Sequence, residues 1–201
     1  MNATTLATIE GVPVLWDGRK LSWMSGARID ADGSPRAYGP DNTGLDYTAN
    51  AGAPGNWYGI VTDAHGKPIV QGAESAYPGM YVSTTAYENE GFLAADPRRY
   101  LDSEKVPYIV IPGALRKHTP GVVLGCKAQV TNTHTGICVT AIVGDVGPSA
   151  KIGEISIALA DALGIPSGAK AGGIMEHCLA FDVFPGIPAK IGATQYRLIP
   201  A

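Results

Sequence analysis

Only one stretch of this chain, Ser156–Leu163, is spaced like a helix; elsewhere the apolar residues come in short runs closed off by Gly, Pro, Asp and Asn. A chain built this way has little amphipathic helix face to bury, so it must pair short extended segments instead. Its 26 glycines and 15 prolines supply the turns such pairing needs. At 201 residues, one domain buries enough apolar surface to fold without metals or disulfides. The expected class is therefore mainly β, a barrel of about six strands with N-terminal hairpins and loops and one or two short helices.

Two runs, Val12–Trp16 and Lys20–Met24, flank Asp17-Gly18 and predict a hairpin. Tyr58–Thr62 and Pro68–Gln71, around a turn at Asp63–Gly66, predict another. Met80–Thr85, Tyr108–Ile111, Val122–Leu124, Ala128–Thr131, Ile137–Val143, Cys178–Phe184 and Gln195–Ile199 follow as strands, with His134–Gly136 as a turn. Residues 25–57, rich in Gly, Asp, Asn and Pro, read as a long organised loop region, its aromatic residues interleaved with Asp30, Asp32, Asp41 and Asp46. One catalytic domain over 1–201 is expected, with hairpins and loops of 1–75 packed on a barrel formed by 76–201. The helix has Ser156 as N-cap and Gly164 just past its end.

Charge narrows the partners. Fifteen basic against 18 acidic residues give a net charge of −3, and no Lys or Arg run tracks a phosphate backbone, so nucleic acid is not expected. An acidic balance suits a polycationic substrate. No apolar stretch has membrane-spanning length, and MNATTLATIEGVPVLW lacks a basic region leading into an apolar one, so neither a membrane span nor a visible secretory signal is expected. Cys126, Cys138 and Cys178 have no CxxC spacing and read as buried, reduced thiols, a Cys126–Cys138 bridge being the competing reading. His65, His118, His134 and His177 show no metal spacing, and neither a phosphate-cradling loop nor a G-x-S-x-G elbow is present. A monomer with no cofactor and no metal is expected.

The segment richest in chemistry is Val143–Gly164. An apolar strand ends at Val143, Asp145 sits at its mouth between Gly144 and Gly147, and a turn leads through a loop with Lys151 and Glu154 into the helix. A turn of that length folds both carboxyls towards one cleft. Two such carboxyls are the minimum for cutting a glycosidic bond: one donates a proton to the leaving oxygen, the other activates water or attacks the sugar. Both acids also have a structural reading, Asp145 capping a turn and Glu154 favouring the helix dipole.

The same segment resembles a known signature. D-x-G-P, carried by Asp145, Gly147 and Pro148, followed by I-S-x-A-x-A-x-x-L-G from Ile155 to Gly164, resembles double-psi β-barrel proteins. SGARIDADG (25–33), PGMYVSTTA (78–86), DPRRYLD (96–102), VPYIVIP (106–112), GDVGPSAKIGEIS (144–156), LGI (163–165) and FPG (184–186) together resemble the glycoside hydrolase family 75 chitosanases. The resemblance implies a double-psi barrel and endo-hydrolysis of chitosan with inversion, the essential pair falling on Asp145 and Glu154. Which of them is acid and which base stays open. It also implies action outside the cell or in the cell envelope.

Around this pair, Asp30 and Asp32 are candidate contacts for glucosamine ammonium groups, or an Asp-Gly turn. Trp57 and Tyr81 are candidates to stack on sugar rings, with Tyr58 and Tyr87 as alternatives, and Lys151 to tune the pair. Two rival functions remain at this level: a peptidoglycan-cleaving barrel or delivered effector, and a non-catalytic expansin-like carbohydrate-binding barrel.

Overall fold

The computed structural model describes residues 3–200. Its main sheet has eight strands: β1 (Thr4–Ile9), β2 (Val12–Trp16), β3 (Leu21–Asp30), β4 (Tyr108–Pro112), β5 (Cys126–Asn132), β6 (Cys138–Gly147), β7 (Glu154–Ser156) and β8 (Ile174–Pro188). Two helices accompany them, α1 (Gly113–His118) and α2 (Ile157–Leu163). The spatial order is β1-β2-β3-β8-β5-β6-β4-β7, and β7 returns to pair with β3, closing a six-stranded barrel. Two pairings are parallel, β3 with β7 and β4 with β6; the others are antiparallel.

The expected mainly β barrel is therefore the observed one, with a changed composition. The loop-rich composition of 25–57 places that segment outside a barrel of residues 76–201; instead β3 is a barrel strand, so the barrel draws on the N-terminal segment. The sequence LSWMSGARID alternates faithfully, with Leu21, Trp23, Ser25, Ala27 and Ile29 buried. The Gly and Asp content of 25–57 masks that period-two signal. Trp23 and Phe181 face each other across β3 and β8 with rings stacked 5.0 Å apart, one of the large apolar pairs holding the strands together.

The Asp17-Gly18 hairpin forms as expected, Asp17 accepting from the backbone N–H groups of Arg19 and Lys20 at 2.8 and 2.9 Å. The preceding strand β1 has no strong turn signal because its hairpin uses Glu10-Gly11, both with positive φ. The second expected hairpin, around Asp63, survives as one bridge, Thr62 with Pro68; Val70 bridges instead to Tyr81, and the expected strand Met80–Thr85 is reduced to that bridge and one between Ser83 and Ile60. Val122–Leu124 and Gln195–Ile199 are not full strands; Leu124 and Ile199 share one bridge. Helix α2 starts and stops as expected: the Ser156 hydroxyl accepts from Leu159 N–H at 3.2 Å, and Gly164 takes the left-handed conformation.

A smaller core, formed by Ala31, Ala37, Tyr38, Ala51 and Ile60, sits beside the barrel, and Trp57 and Tyr81 pack against it. It fixes the loop that follows β3.

One irregularity in the barrel sets the direction of Asp145. Between Ile109↔Val143 and Val110↔Asp145 the β4–β6 register slips by one residue, leaving Gly144 as a bulge. A Cβ there would stand 2.7 Å from both Leu101 Cδ1 and Tyr108 Cβ, so only glycine fits. A Gly144→Ala variant should lose about 1–3 kcal/mol of stability through overpacking, measured by chemical denaturation; a variant as stable as the parent would mean the bulge tolerates a side chain.

Candidate active site

The strand pairings assemble the site. Val110 of β4 is paired with Asp145 on one side and with Glu154 on the other, and Glu154 is paired in turn with Arg28 of β3. Residues directly across a ladder point to the same face of a sheet. Asp145, Val110, Glu154 and Arg28 thus form one row over four strands, and all four line a cleft of about 600 Å³. Glu154, expected in a loop, begins a strand held on both edges, which fixes its backbone far better than a loop would.

Asp145 owes its position to the bulge. Its Oδ1 accepts two backbone N–H groups, from Ala86 at 2.8 Å and Val146 at 2.7 Å. Burial in the barrel mouth, helped by the Glu154 charge and opposed by those two N–H bonds, raises its pKa from 3.8 to about 7. Burial also raises Glu154, while Lys151 and Arg28 pull it back. Arg28 is itself committed to Glu10 through two hydrogen bonds of 3.0 Å. Gly147, beside Glu154, keeps the floor open; a Cβ there would come within 3.0 Å of Val110 Cγ1.

Asp30 and Asp32 lie closer to Asp145 than a separate sugar-binding loop implies. Carboxyl oxygens of Asp30, Asp32 and Asp145 all fall within 4.8 Å of one another. Asp30 accepts from Asp32 N–H at 2.8 Å and from Tyr108 Oη at 3.0 Å. Asp32 accepts from Tyr38 Oη at 2.6 Å. Burial first, and the neighbouring carboxylates second, hold both acids well above the usual carboxylate range. Three carboxyls this close cannot all ionise, so the cluster can share protons or hold a small hard cation.

Lys151 is exposed on the cleft rim. Trp57 and Tyr81 do not line this cleft; they are drawn into the small core beside it. Tyr58, 67% exposed, is the aromatic residue at the cleft edge, and Tyr87 is buried against Tyr196. Asp46 also lines the cleft, held by two hydrogen bonds from Asn50 Nδ2. Nothing in the sequence marks Asp46 or Val110 as cleft residues, because only the pairing of distant segments brings them there.

None of the four histidines lines the main cleft; His177 borders a smaller one of about 220 Å³. All three cysteines are free, Cys126 and Cys178 buried as expected but Cys138 exposed near the turn that joins β5 to β6. The alternative Cys126–Cys138 bridge is ruled out by register: Cys138 faces Thr131, near the opposite end of β5 from Cys126. That is a separation of about 17 Å along the strand, far beyond disulfide reach. No protein-family model matches the chain, and no curated protein does.

The raised Asp145 has a thermodynamic consequence. Its folded pKa, about 7, exceeds the free value of 3.8. The fold is therefore penalised as pH rises from about 4 to about 7, and the full penalty applies above that. Asp145→Asn keeps an oxygen for the Ala86 and Val146 N–H groups and removes the charge. It should be more stable than the parent by about 1–3 kcal/mol at pH 8, with the gain gone at pH 4. Equal stability at both pH values would mean the carboxyl titrates normally.

Proposed function

We propose that this chain is an endo-acting, inverting chitosanase of the glycoside hydrolase family 75 kind, with Asp145 as general acid and Glu154 as general base. One observation carries the reading: Asp145 and Glu154 flank Val110 in a single row on the floor of one cleft. Two strand spacings separate their backbones by about 9.5 Å. That backbone spacing is compatible with the carboxyl separation of about 6.5–9.5 Å that admits a water between base and anomeric carbon.

The environments divide the roles. A carboxyl with its pKa near 7 still carries a proton at neutral pH, which a general acid requires. Glu154 has Lys151 and Arg28 beside it to favour its ionised, water-activating form. In the reaction, Asp145 gives its proton to the glycosidic oxygen as the bond to the anomeric carbon breaks. Glu154 takes a proton from the water that attacks the opposite face.

The substrate class follows from the excess of acids. Asp30, Asp32, Asp46, Asp145 and Glu154 line the cleft against Arg28, Lys151 and Lys170. Burial forces protons onto several of these acids, and a glucosamine ammonium entering the cleft would supply the missing positive charge instead. An N-acetylated sugar offers no such compensation. The exposed Tyr58 ring at the rim suits the apolar face of a pyranose.

The test is reducing-end release from chitosan and from peptidoglycan by the parent, Asp145→Asn and Glu154→Gln. Chitosan cleavage should fall by about 10²–10⁴-fold in each variant. Activity confined to peptidoglycan would overturn the substrate, and silence on both would favour a binding barrel. In the active parent, kcat/KM should fall about tenfold per pH unit above about pH 7, as Asp145 loses its proton. An alkaline limb set only above pH 9 would remove Asp145 from the acid role.

A further inference from the structure

We infer that His134, Glu176 and Cys178 form a binding site for a thiolate-seeking divalent cation, zinc being the best fit, away from the sugar cleft. One donor atom from each residue lies within 4.8 Å of the other two. His134 Nε2 and Glu176 Oε1 are already 3.1 Å apart. Nitrogen, oxygen and sulfur donors grouped this closely match the three-ligand sites of zinc, in which water completes a tetrahedron. Hard cations such as calcium or magnesium would not choose a thiol.

Cys178 supplies the sulfur donor. It is 2% exposed, and its Sγ lies within 4.8 Å of donor atoms on the exposed His134 and Glu176. Cys126 is equally buried, but its Sγ is satisfied by Gly121 O at 3.3 Å. The backbone around the site is also fixed in advance. Thr133 donates both its N–H, at 2.9 Å, and its hydroxyl, at 2.8 Å, to Cys178 O. The His134 N–H is held by Asn132 Oδ1 at 3.1 Å. The turn bearing His134 is thereby locked to the strand bearing Cys178. Glu176 comes from an irregular part of β8, between the pairs Ile174↔Ala27 and Leu179↔Ser25, where the strand arches away from β3. Such interruptions recur where a strand re-aims its side chains.

Binding transfers the Cys178 thiol proton to solvent and leaves metal–sulfur, metal–nitrogen and metal–oxygen bonds, with no change of oxidation state. The cation would fasten the β5–β6 turn to β8, the strand that carries Met175 to the cleft.

The test uses Co²⁺ and Zn²⁺ alone with the full chain, in a Cys138→Ser background that removes the exposed thiol. The expected result is a thiolate-to-cobalt charge-transfer band at one equivalent. Zn²⁺ at a hundredfold excess over Kd should raise the melting temperature by about 5–10 °C. Both should vanish in Cys178→Ser and in His134→Ala, and Glu176→Gln should weaken binding about tenfold or more. His134 is exposed, so its variant tests the site even if Cys178→Ser folds poorly. Absence of the band, or a band unchanged in His134→Ala, would overturn the proposal. So would stabilisation retained in Cys178→Ser but lost in Asp32→Asn, which would put the cation in the carboxyl cluster.

Discussion

The barrel depends on a short parallel pairing. Arg28, Ile29 and Asp30 of β3 lie against Glu154, Ile155 and Ser156 of β7, and without these three pairs the sheet stays open. Each pair also serves the site. Arg28 meets Glu154, Ile29 and Ile155 are buried, and Asp30 is carried to the mouth where Asp145 arrives from β6. The neighbouring contacts reinforce the seam: Arg28 N–H donates to Gly153 O at 2.8 Å, and Glu10 Oε2 accepts from Ile152 N–H at 3.0 Å. Ser156 closes it, its hydroxyl donating to Val106 O and accepting from Tyr108 and Leu159 N–H, the full capacity of one hydroxyl. One side chain thus joins β4, β7 and the start of α2.

Closing the barrel there has an energetic cost. Burial withdraws Asp30, Asp32, Asp145 and Glu154 from water, and their carboxyls are pushed upward as a result. A structure selected for stability alone would not gather carboxyls at one mouth, because each disfavours ionisation of the next. Tyr38 and Tyr108 hydroxyls, and backbone N–H groups, recover part of that cost by occupying carboxyl oxygens. What remains is a cost that the rest of the fold offsets.

The cluster at His134 and the acidic cleft obey opposite rules, which keeps the two proposed sites distinct. The cleft gathers oxygen donors around a bulge in β6, in a place that needs positive charge. The second site joins a turn to an arched strand and offers nitrogen and sulfur as well as oxygen. β8 serves both, its Met175 lining the cleft and its Glu176 and Cys178 contributing to the cluster.

Local chemistry was legible in the sequence wherever a residue's partners lie nearby. The Asp17-Gly18 turn, the Ser156 cap and the Gly164 stop all depend on neighbours within a few positions, whereas the strand expected to end at Val143 runs on to Gly147 and holds Asp145 inside it, paired with Val110. The pair Asp145 and Glu154 was visible for the same reason, being joined by one short connection. Pairing across the barrel was beyond sequence, because register is a property of two distant segments. Only closure revealed that Asp30 and Asp32 stand beside Asp145, that Asp46 and Tyr58 border the cleft, and that Trp57 and Tyr81 belong to a second core. It also set Cys126 and Cys138 at opposite ends of a hairpin that brings them near in sequence alone. The sequence by itself determined which turns, caps and short strands could form; the tertiary structure decided which side chains share a face, because hydrogen-bond register, unlike a turn, has no local code.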